Sequence, residues 1–312
     1  MGGKTGSARM VAAIGGFDGV HLGHQALLRR VTQAAAREGA LPGVVTFDPL
    51  PLQVLTPEDE SLLLTLSREK TSLLAEFGIQ RILLLQFTRQ MAALSAREFL
   101  KQVVLRELDP VSLVVGHDFR FGADRQGDVA MLRSAGCDLG FRVEEVAAVC
   151  QGGMRISSTS IREQIRQGRV SEATRLLGHA LVVEGRVVPG RGIGGRCLVP
   201  TANMEVDSDQ LLPAPGVYLV EAEIDEGRFT GVVNRGQAPT LGTGHDRLTE
   251  VHLLDYQGDL LGRTIRISFL EWLREARRFP DLASLKRAIQ GDLLAARHRF
   301  GHGFENHLVS CP

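Results

Sequence analysis

"MVAAIGGFDGVHLGHQALLRRVTQAAAREG" (Met10–Gly39) decides how the first half of this chain is read. An apolar run enters a cluster of glycines, as a buried strand does where it turns sharply. Behind the turn, Leu27, Leu28, Val31, Ala34 and Ala35 recur at helical spacing, and Gly39 stops the pattern. Strand, glycine turn and helix open a parallel α/β sheet. The theme repeats downstream. Pro42–Asp48, Arg81–Phe87, Val111–Phe119 and Phe141–Val149 read as strands, with helices predicted around Ser67–Phe77, Ser95–Arg106 and Asp128–Ala135. Strands that are apolar at nearly every position belong in a sheet covered on both faces. Ser158–Gly178 adds two short helices broken at Gly168.

Beyond Gly178 the hydrophobic period falls to two. Ala180–Val188, Gly216–Ile224, Arg228–Asn234, Leu248–Tyr256 and Arg263–Leu273 alternate, with Gly, Pro and Asp between them and no room for crossover helices. They predict a small antiparallel barrel or sandwich. An amphipathic helix follows over Asp281–Arg299, with Leu282, Leu285, Ile289, Leu293 and Leu294 as its apolar stripe. The expected domains are 1–180 and 181–312.

The chain has 312 residues, 44% of them hydrophobic, with 36 basic and 36 acidic side chains. That balance argues against a nucleic-acid-coating protein, which carries a basic excess. Cys137, Cys150, Cys197 and Cys311 form no close pair, so the spacing offers neither a zinc knuckle nor a redox CxxC. A reducing, cytoplasmic setting is expected. No signal peptide and no run of membrane-spanning length is read.

His21 and His24 stand where the first strand hands over to its helix. In a parallel sheet, ligands bind at this carboxyl edge. Helix N-termini favour anions, and Gly15, Gly16, Gly19 and Gly23 allow close backbone approach. Two imidazoles at i and i+3 share a face and can address one phosphate chain. A zinc helix would want i and i+4 with a third ligand. Taken alone, the pair also fits a solvated turn. "GRGIGG" (Gly190–Gly195) matches GxGxxG, but Pro189 precedes it and no helix follows, so it is no dinucleotide fingerprint.

Further motifs occur in order: Thr46–Pro49 (TFDP), Val115–Gly122 (VGHDFRFG), Ile156–Arg162 (ISSTSIR), Pro200–Asn203 (PTAN), Asn234–Thr240 (NRGQAPT) and Glu250–Asp255 (EVHLLD). With "GGFDGVHLGH" (Gly15–His24), the chain resembles the bacterial bifunctional riboflavin kinase/FMN adenylyltransferase family, or FAD synthetases, from about residue 11 to about residue 299. The resemblance implies a Rossmann-like nucleotidyltransferase domain with a parallel sheet. A small antiparallel riboflavin-kinase β-barrel with a C-terminal helix would follow.

It further implies that riboflavin and ATP give FMN, and that FMN and ATP give FAD and pyrophosphate, with Mg²⁺ as cofactor. His21 and His24 would stabilise the transferring phosphate, and Gly15, Phe17, Asp18, Gly23, Asp118, Ser157, Ser158, Thr159 and Arg162 would bind that nucleotide. In the kinase, Gly190 and Gly192 would cover ATP, and Thr201 and Asn203 would stand at ATP and Mg²⁺. Glu250 would be the base, while Asn234, Thr240 and Arg274 would meet the flavin, Arg274 from a loop after the last strand. Partners would be small molecules, not nucleic acid or membrane, on a monomer or weak homo-oligomer.

Some positions depart from the family pattern: Gly16, Leu50 and Ser160 in the first half, and Ile193, Gly195, Leu198 and Leu261 in the second. Two alternatives stand beside the main reading. One keeps only the adenylyltransferase with a degenerate flavin-binding barrel. The other is a non-enzymatic flavin-binding regulator.

Overall fold

The structure, a computed structural model, describes residues 9–56, 62–108, 110–189, 201–236, 249–277 and 279–301. The chain divides into two compact units, Met1–Ser157 and Ser158–Pro312.

The first unit runs β1 (Met10–Ile14), α1 (Leu22–Glu38), β2 (Leu41–Phe47), α2 (Pro51–Leu55), α3 (Ser67–Glu76), β3 (Arg81–Leu85), α4 (Arg89–Ala92), α5 (Ala96–Phe99), β4 (Pro110–Gly116), α6 (Val129–Leu139), β5 (Arg142–Val146), β6 (Cys150–Gln151) and β7 (Met154–Arg155). Five strands form one parallel sheet in the order β3-β2-β1-β4-β5. Central β1 is buried throughout. Val11 and Ala13 pack with Leu28, Val31, Val44 and Leu74 on one face. Met10, Ala12 and Ile14 pack with Val45, Phe99, Val103 and Leu132 on the other. This two-sided burial is why the strand shows no polar alternation. Helix α1 buries the predicted Leu27, Leu28, Val31, Ala34 and Ala35 and ends at Gly39, whose φ of 59° suits glycine. The helix predicted over Ser95–Arg106 differs in kind: after α5, Leu100–Leu105 widens into a π-helix that turns Leu100, Val103 and Val104 inward. Sequence reading missed α2, α4 and the short β6–β7 hairpin.

The second unit opens with α7 (Ser158–Arg166) and α8 (Val170–Leu177), separated at Gly168 (φ 75°) as predicted. Then come β8 (Leu181–Val188), β9 (Ala202–Val206), β10 (Gly216–Ile224), β11 (Gly227–Arg235), β12 (Thr249–Leu253), β13 (Thr264–Arg274) and α9 (Leu282–Gly301). The strands close into an antiparallel barrel, β10-β11-β12-β9-β8-β13, with β13 returning to β10. Strand β9 was not predicted, because PTAN reads as a turn. The approach of β8 to β9 demands a glycine: a Cβ on Gly185 would lie 2.4 Å from the Glu205 carbonyl oxygen.

Residue 181 begins the barrel, but the compact units divide earlier, because α8 packs on the barrel and Ser171 Oγ donates to the Leu270 carbonyl (3.1 Å). The α9 stripe is rotated from the predicted one. Leu293, Ala296 and Phe300 pack against Val217, Leu219 and Val232, while Leu294 is 68% exposed. Leu294 lies one residue, about 100°, off the row that faces the barrel. Among the described residues no helix is long and apolar enough to cross a membrane.

Candidate active sites

In the first unit the chain leaves β1 toward β2 on one side and later fills β4 on the other. The carboxyl end of β1 is therefore a topological switch point, where open α/β sheets bind ligands. The turn there is tightly pinned. Gly15 N–H donates to Val45 O (3.0 Å), and Thr46 Oγ1 donates to Gly16 O (3.0 Å). Gln25 Nε2 donates to Val20 O (3.0 Å). Phe17 and Val20 adopt positive φ, 49° and 35°, with their side chains in the core. Left-handed backbone at a β-branched residue persists only where its surroundings over-determine it. Phe17, expected at the nucleotide, is only 1% exposed and meets His24 with ring centroids 5.1 Å apart.

His21 caps α1: its Nδ1 accepts the backbone N–H of His24 at 3.3 Å. An accepting Nδ1 puts the neutral ring's proton on Nε2, which makes Nε2–H the outward donor. The two imidazoles stack, 3.7 Å between centroids and 13° between planes. Burial, and then the neighbouring His21 ring, hold His24 well below the usual histidine range. His24 is therefore neutral at physiological pH. Its Nδ1 is buried with no hydrogen-bond partner among the described residues. Gly23 leaves this stack its room, since a Cβ there would stand 3.1 Å from the His21 ring. The same Cβ would lie 3.9 Å from Ile156 O, so the chain enters Ser157 beside the two histidines.

Asp18 is an anchor of the turn. It is 4% exposed, and its Oδ1 accepts the backbone N–H groups of Leu64 (2.9 Å) and Thr65 (3.1 Å). Thr65 Oγ1 in turn accepts Gly19 N–H at 3.0 Å. Asp118 follows β4 at the same sheet edge, paired with Arg155 of β7. Burial pushes its carboxyl up, but the Arg155 hydrogen bond and charge hold it below its usual value. Ser158, Thr159 and Arg162 belong to α7 in the second unit, where Arg162 is 8% exposed. Sequence reading missed Lys70 on α3. It is 2% exposed and its Nζ donates to Phe47 O at 2.9 Å. A signal was present: Lys70 sits three and four residues ahead of buried Leu73 and Leu74, on the apolar face.

In the barrel, three expected residues form a row across neighbouring strands. Glu250 on β12 is paired in register with Asn203 on β9 and with Asn234 on β11. Thr249, Val251 and Leu253 are buried while Glu250 and His252 are not, so the row lies on the outer face. Asn234 Nδ2 donates to Glu250 Oε2 at 3.2 Å. Thr201 is exposed just ahead of β9. Arg274 is the last residue of β13 rather than part of a following loop. Asp292 of α9 grips it bidentately, Nε–Oδ1 2.8 Å and Nη2–Oδ2 2.7 Å. Gly190, Gly192 and Thr240 lie outside the described residues, as do Ile193, Gly195 and Leu198.

Comparison with known proteins agrees with this division. The FAD synthetase family model matches residues 4–160 and the riboflavin kinase family model residues 177–300. The chain is 41% identical over 287 residues to a bifunctional riboflavin kinase/FMN adenylyltransferase of Pseudomonas fluorescens, covering 92% of both chains. It is 40% identical over 292 residues to the protein of that name from Escherichia coli (strain K12), covering 93% of both. A crystal structure described as a macrolide-efflux protein from Streptococcus pneumoniae superposes with a TM-score of 0.87 at 30% identity, covering 94% of this chain and 95% of that one. A degenerate barrel or a non-enzymatic regulator gains no support from these relatives. Two matched halves, each with its own constellation of polar side chains, place this chain in the bifunctional riboflavin kinase/FMN adenylyltransferase family.

Proposed function

We propose that the two activities of the family are divided between the two constellations. In the first unit, ATP lays its phosphates at the β1–α1 turn. A phosphate oxygen of FMN attacks the α-phosphorus and pyrophosphate leaves. No protein nucleophile is needed, so the work is positioning and charge stabilisation. Imidazole N–H groups suit it, because a preorganised donor in a water-poor site stabilises the charge that develops. Gly15 and Gly23 give backbone access, while Phe17 and Asp18 hold the turn. Asp118 and Ser157 face the nucleotide from the same edge. Ser158, Thr159 and Arg162 are assigned to it on the resemblance alone.

In the barrel, Glu250 takes the proton of the riboflavin 5′-hydroxyl as that oxygen attacks the γ-phosphorus and ADP leaves. Asn234 orients the carboxylate, and Arg274 and Thr240 border the flavin. Among the described residues no group of three or more His, Cys, Asp or Glu could hold a metal. The oxygens of Thr201, Asn203 and Glu250 fit a Mg²⁺ that arrives on ATP phosphates and takes one or two protein ligands. Bound there, Mg²⁺ would neutralise phosphate charge. Gly190 and Gly192 cover the same nucleotide. The chain acts in the cytoplasm, where ATP is supplied, as a monomer or weak homo-oligomer with small-molecule partners.

The observation that carries this reading is the separation of the stacked His21–His24 pair from the Asn203–Glu250–Asn234 row, one in each matched half. Incubation with riboflavin or FMN, ATP and Mg²⁺, with chromatographic resolution of the flavins, tests it. Two independently inactivated steps are expected, and variants that damage both reactions equally defeat the division.

A further inference from the structure

Arg274 is held on three sides. It ends β13 opposite Val217 of β10, and Val217 stands opposite Asn234 of β11. The row that carries Asn203, Glu250 and Asn234 therefore runs on through Val217 to Arg274. Opposed residues point the same way, so Val217 shares the outer face with Asn234. Helix α9 covers Val217 there, and Asp292 on that helix reaches Arg274. Asp292 is 9% exposed and accepts from Nε at 2.8 Å and from Nη2 at 2.7 Å. Nη1 donates to the Glu275 carbonyl at 3.0 Å. The ring of Phe279 backs the guanidinium, its centroid 5.6 Å from Cζ.

A guanidinium has five N–H donors in a fixed plane. Among the described residues, Asp292 and Glu275 take three of those on Arg274. The two left over, one on each terminal nitrogen, form a fork for an acceptor pair, and the bidentate carboxylate fixes the plane in which they point. Arg274 stands three strands from Glu250 around the barrel, so the two meet different ends of one substrate. From this geometry we infer that Asp292 is a positioning residue for riboflavin phosphorylation: its carboxylate sets the Arg274 fork to hydrogen-bond the carbonyl oxygens and bare nitrogens of the flavin's pyrimidine edge. The inference rests on the reading of this row as the kinase site, with Arg274 at the flavin. Asp292 does not touch substrate. Through it, α9 is a wall of the flavin site as well as a brace of the barrel.

The test uses the full chain, checked for folding by circular dichroism. KM for riboflavin, KM for ATP and kcat are measured separately for phosphorylation, and adenylylation of supplied FMN in the same samples is the control. D292N keeps the volume and one accepting oxygen but loses the charge and the second acceptor. It raises KM for riboflavin at least ~5-fold, with KM for ATP and kcat within ~2-fold of the parent, the signature of binding lost away from the reacting atoms. R274M raises KM for riboflavin at least as far. The double variant R274M/D292N matches R274M within ~2-fold, the non-additivity expected when one residue acts through the other. A carboxylate that only braced α9 would leave KM for riboflavin unmoved, and its loss would add to that of Arg274.

The inference is overturned by a folded D292N whose KM for riboflavin rises less than ~5-fold, by a comparable rise in KM for ATP, or by a double variant more than ~2-fold worse than R274M. If D292N does not fold, D292E decides. It keeps the charge and displaces it by one methylene, so a raised KM for riboflavin supports the inference and an unchanged one overturns it. E250Q in the same assay guards the underlying reading. If E250Q keeps full phosphorylation, the row is not the kinase site. If E250Q loses it while D292N leaves KM for riboflavin unchanged, only the role of Asp292 fails.

Discussion

The two units hold their candidate groups in opposite ways. In the parallel sheet, the candidate groups stand on a turn beyond the strand end, held by backbone in unusual conformations and by buried polar anchors. In the barrel they stand on the strands themselves, one residue per strand, aligned by register on the outer face. The first arrangement needs local strain and supporting side chains. The second needs only correct pairing, because directly opposed residues point the same way.

Four substitutions or conditions sharpen this contrast. Glu250→Gln removes the proton acceptor and slows FMN formation ~10²–10⁴-fold, with FAD formation from supplied FMN retained. Steady-state rates on each flavin measure it, and equal losses in both reactions break the two-site picture. His24→Ala does the converse, lowering FAD formation ~10²–10³-fold while riboflavin phosphorylation persists.

Asp292→Ala leaves the partly buried Arg274 guanidinium without its bidentate partner. Loss of about 2–3 kcal/mol is expected, less than the full cost of breaking a buried pair because Arg274 keeps some water contact. Denaturant unfolding measures this, and if stability is unchanged the pair does not tie α9 to the barrel.

The smallest effect is acidic. His24 is depressed in the folded chain, so below its unfolded value of ~6.5 the unfolded state binds the extra proton. Stability is complete above that pH and falls as pH drops, by at most about 1.4 kcal/mol per unit. Melting temperatures from pH 7.5 to 5.5 should show the slope, with part of it removed in His24→Gln; an unchanged slope assigns it to other groups.

Sequence patterning carried the parallel sheet because β1 is buried on both faces, so Met10–Ile14 shows no polar interruption. It carried five barrel strands because their apolar residues recur at a period of two, which the burial of β12 and most of β13 follows. It missed β9, whose short run Ala202–Val206 lies inside a motif that reads as a turn. It placed Leu294 on the packed face of α9, where the buried row instead admits Asp292 for its bond to Arg274. Lys70 was missed for a related reason. A lysine reads as surface, and its burial is made possible by the Phe47 carbonyl, distant in sequence, which accepts its Nζ. The candidate histidines were legible only together with the motifs that follow in order, since their spacing alone also fits a solvated turn; their stacking and the depressed His24 depend on Phe17, Gly23 and the depth of the turn.

The alternation along β12 makes the kinase chemistry a matter of parity. A shift of one residue in the pairing of β12 with its neighbours would exchange the inward and outward sets of that strand. The carboxylate of Glu250 would then point into the hydrocarbon interior, and Val251 would occupy the place of the base. Segments joining the barrel strands can vary in length as evolution allows, but a shift by one within this strand would remove the proposed base from its place without altering a single side chain.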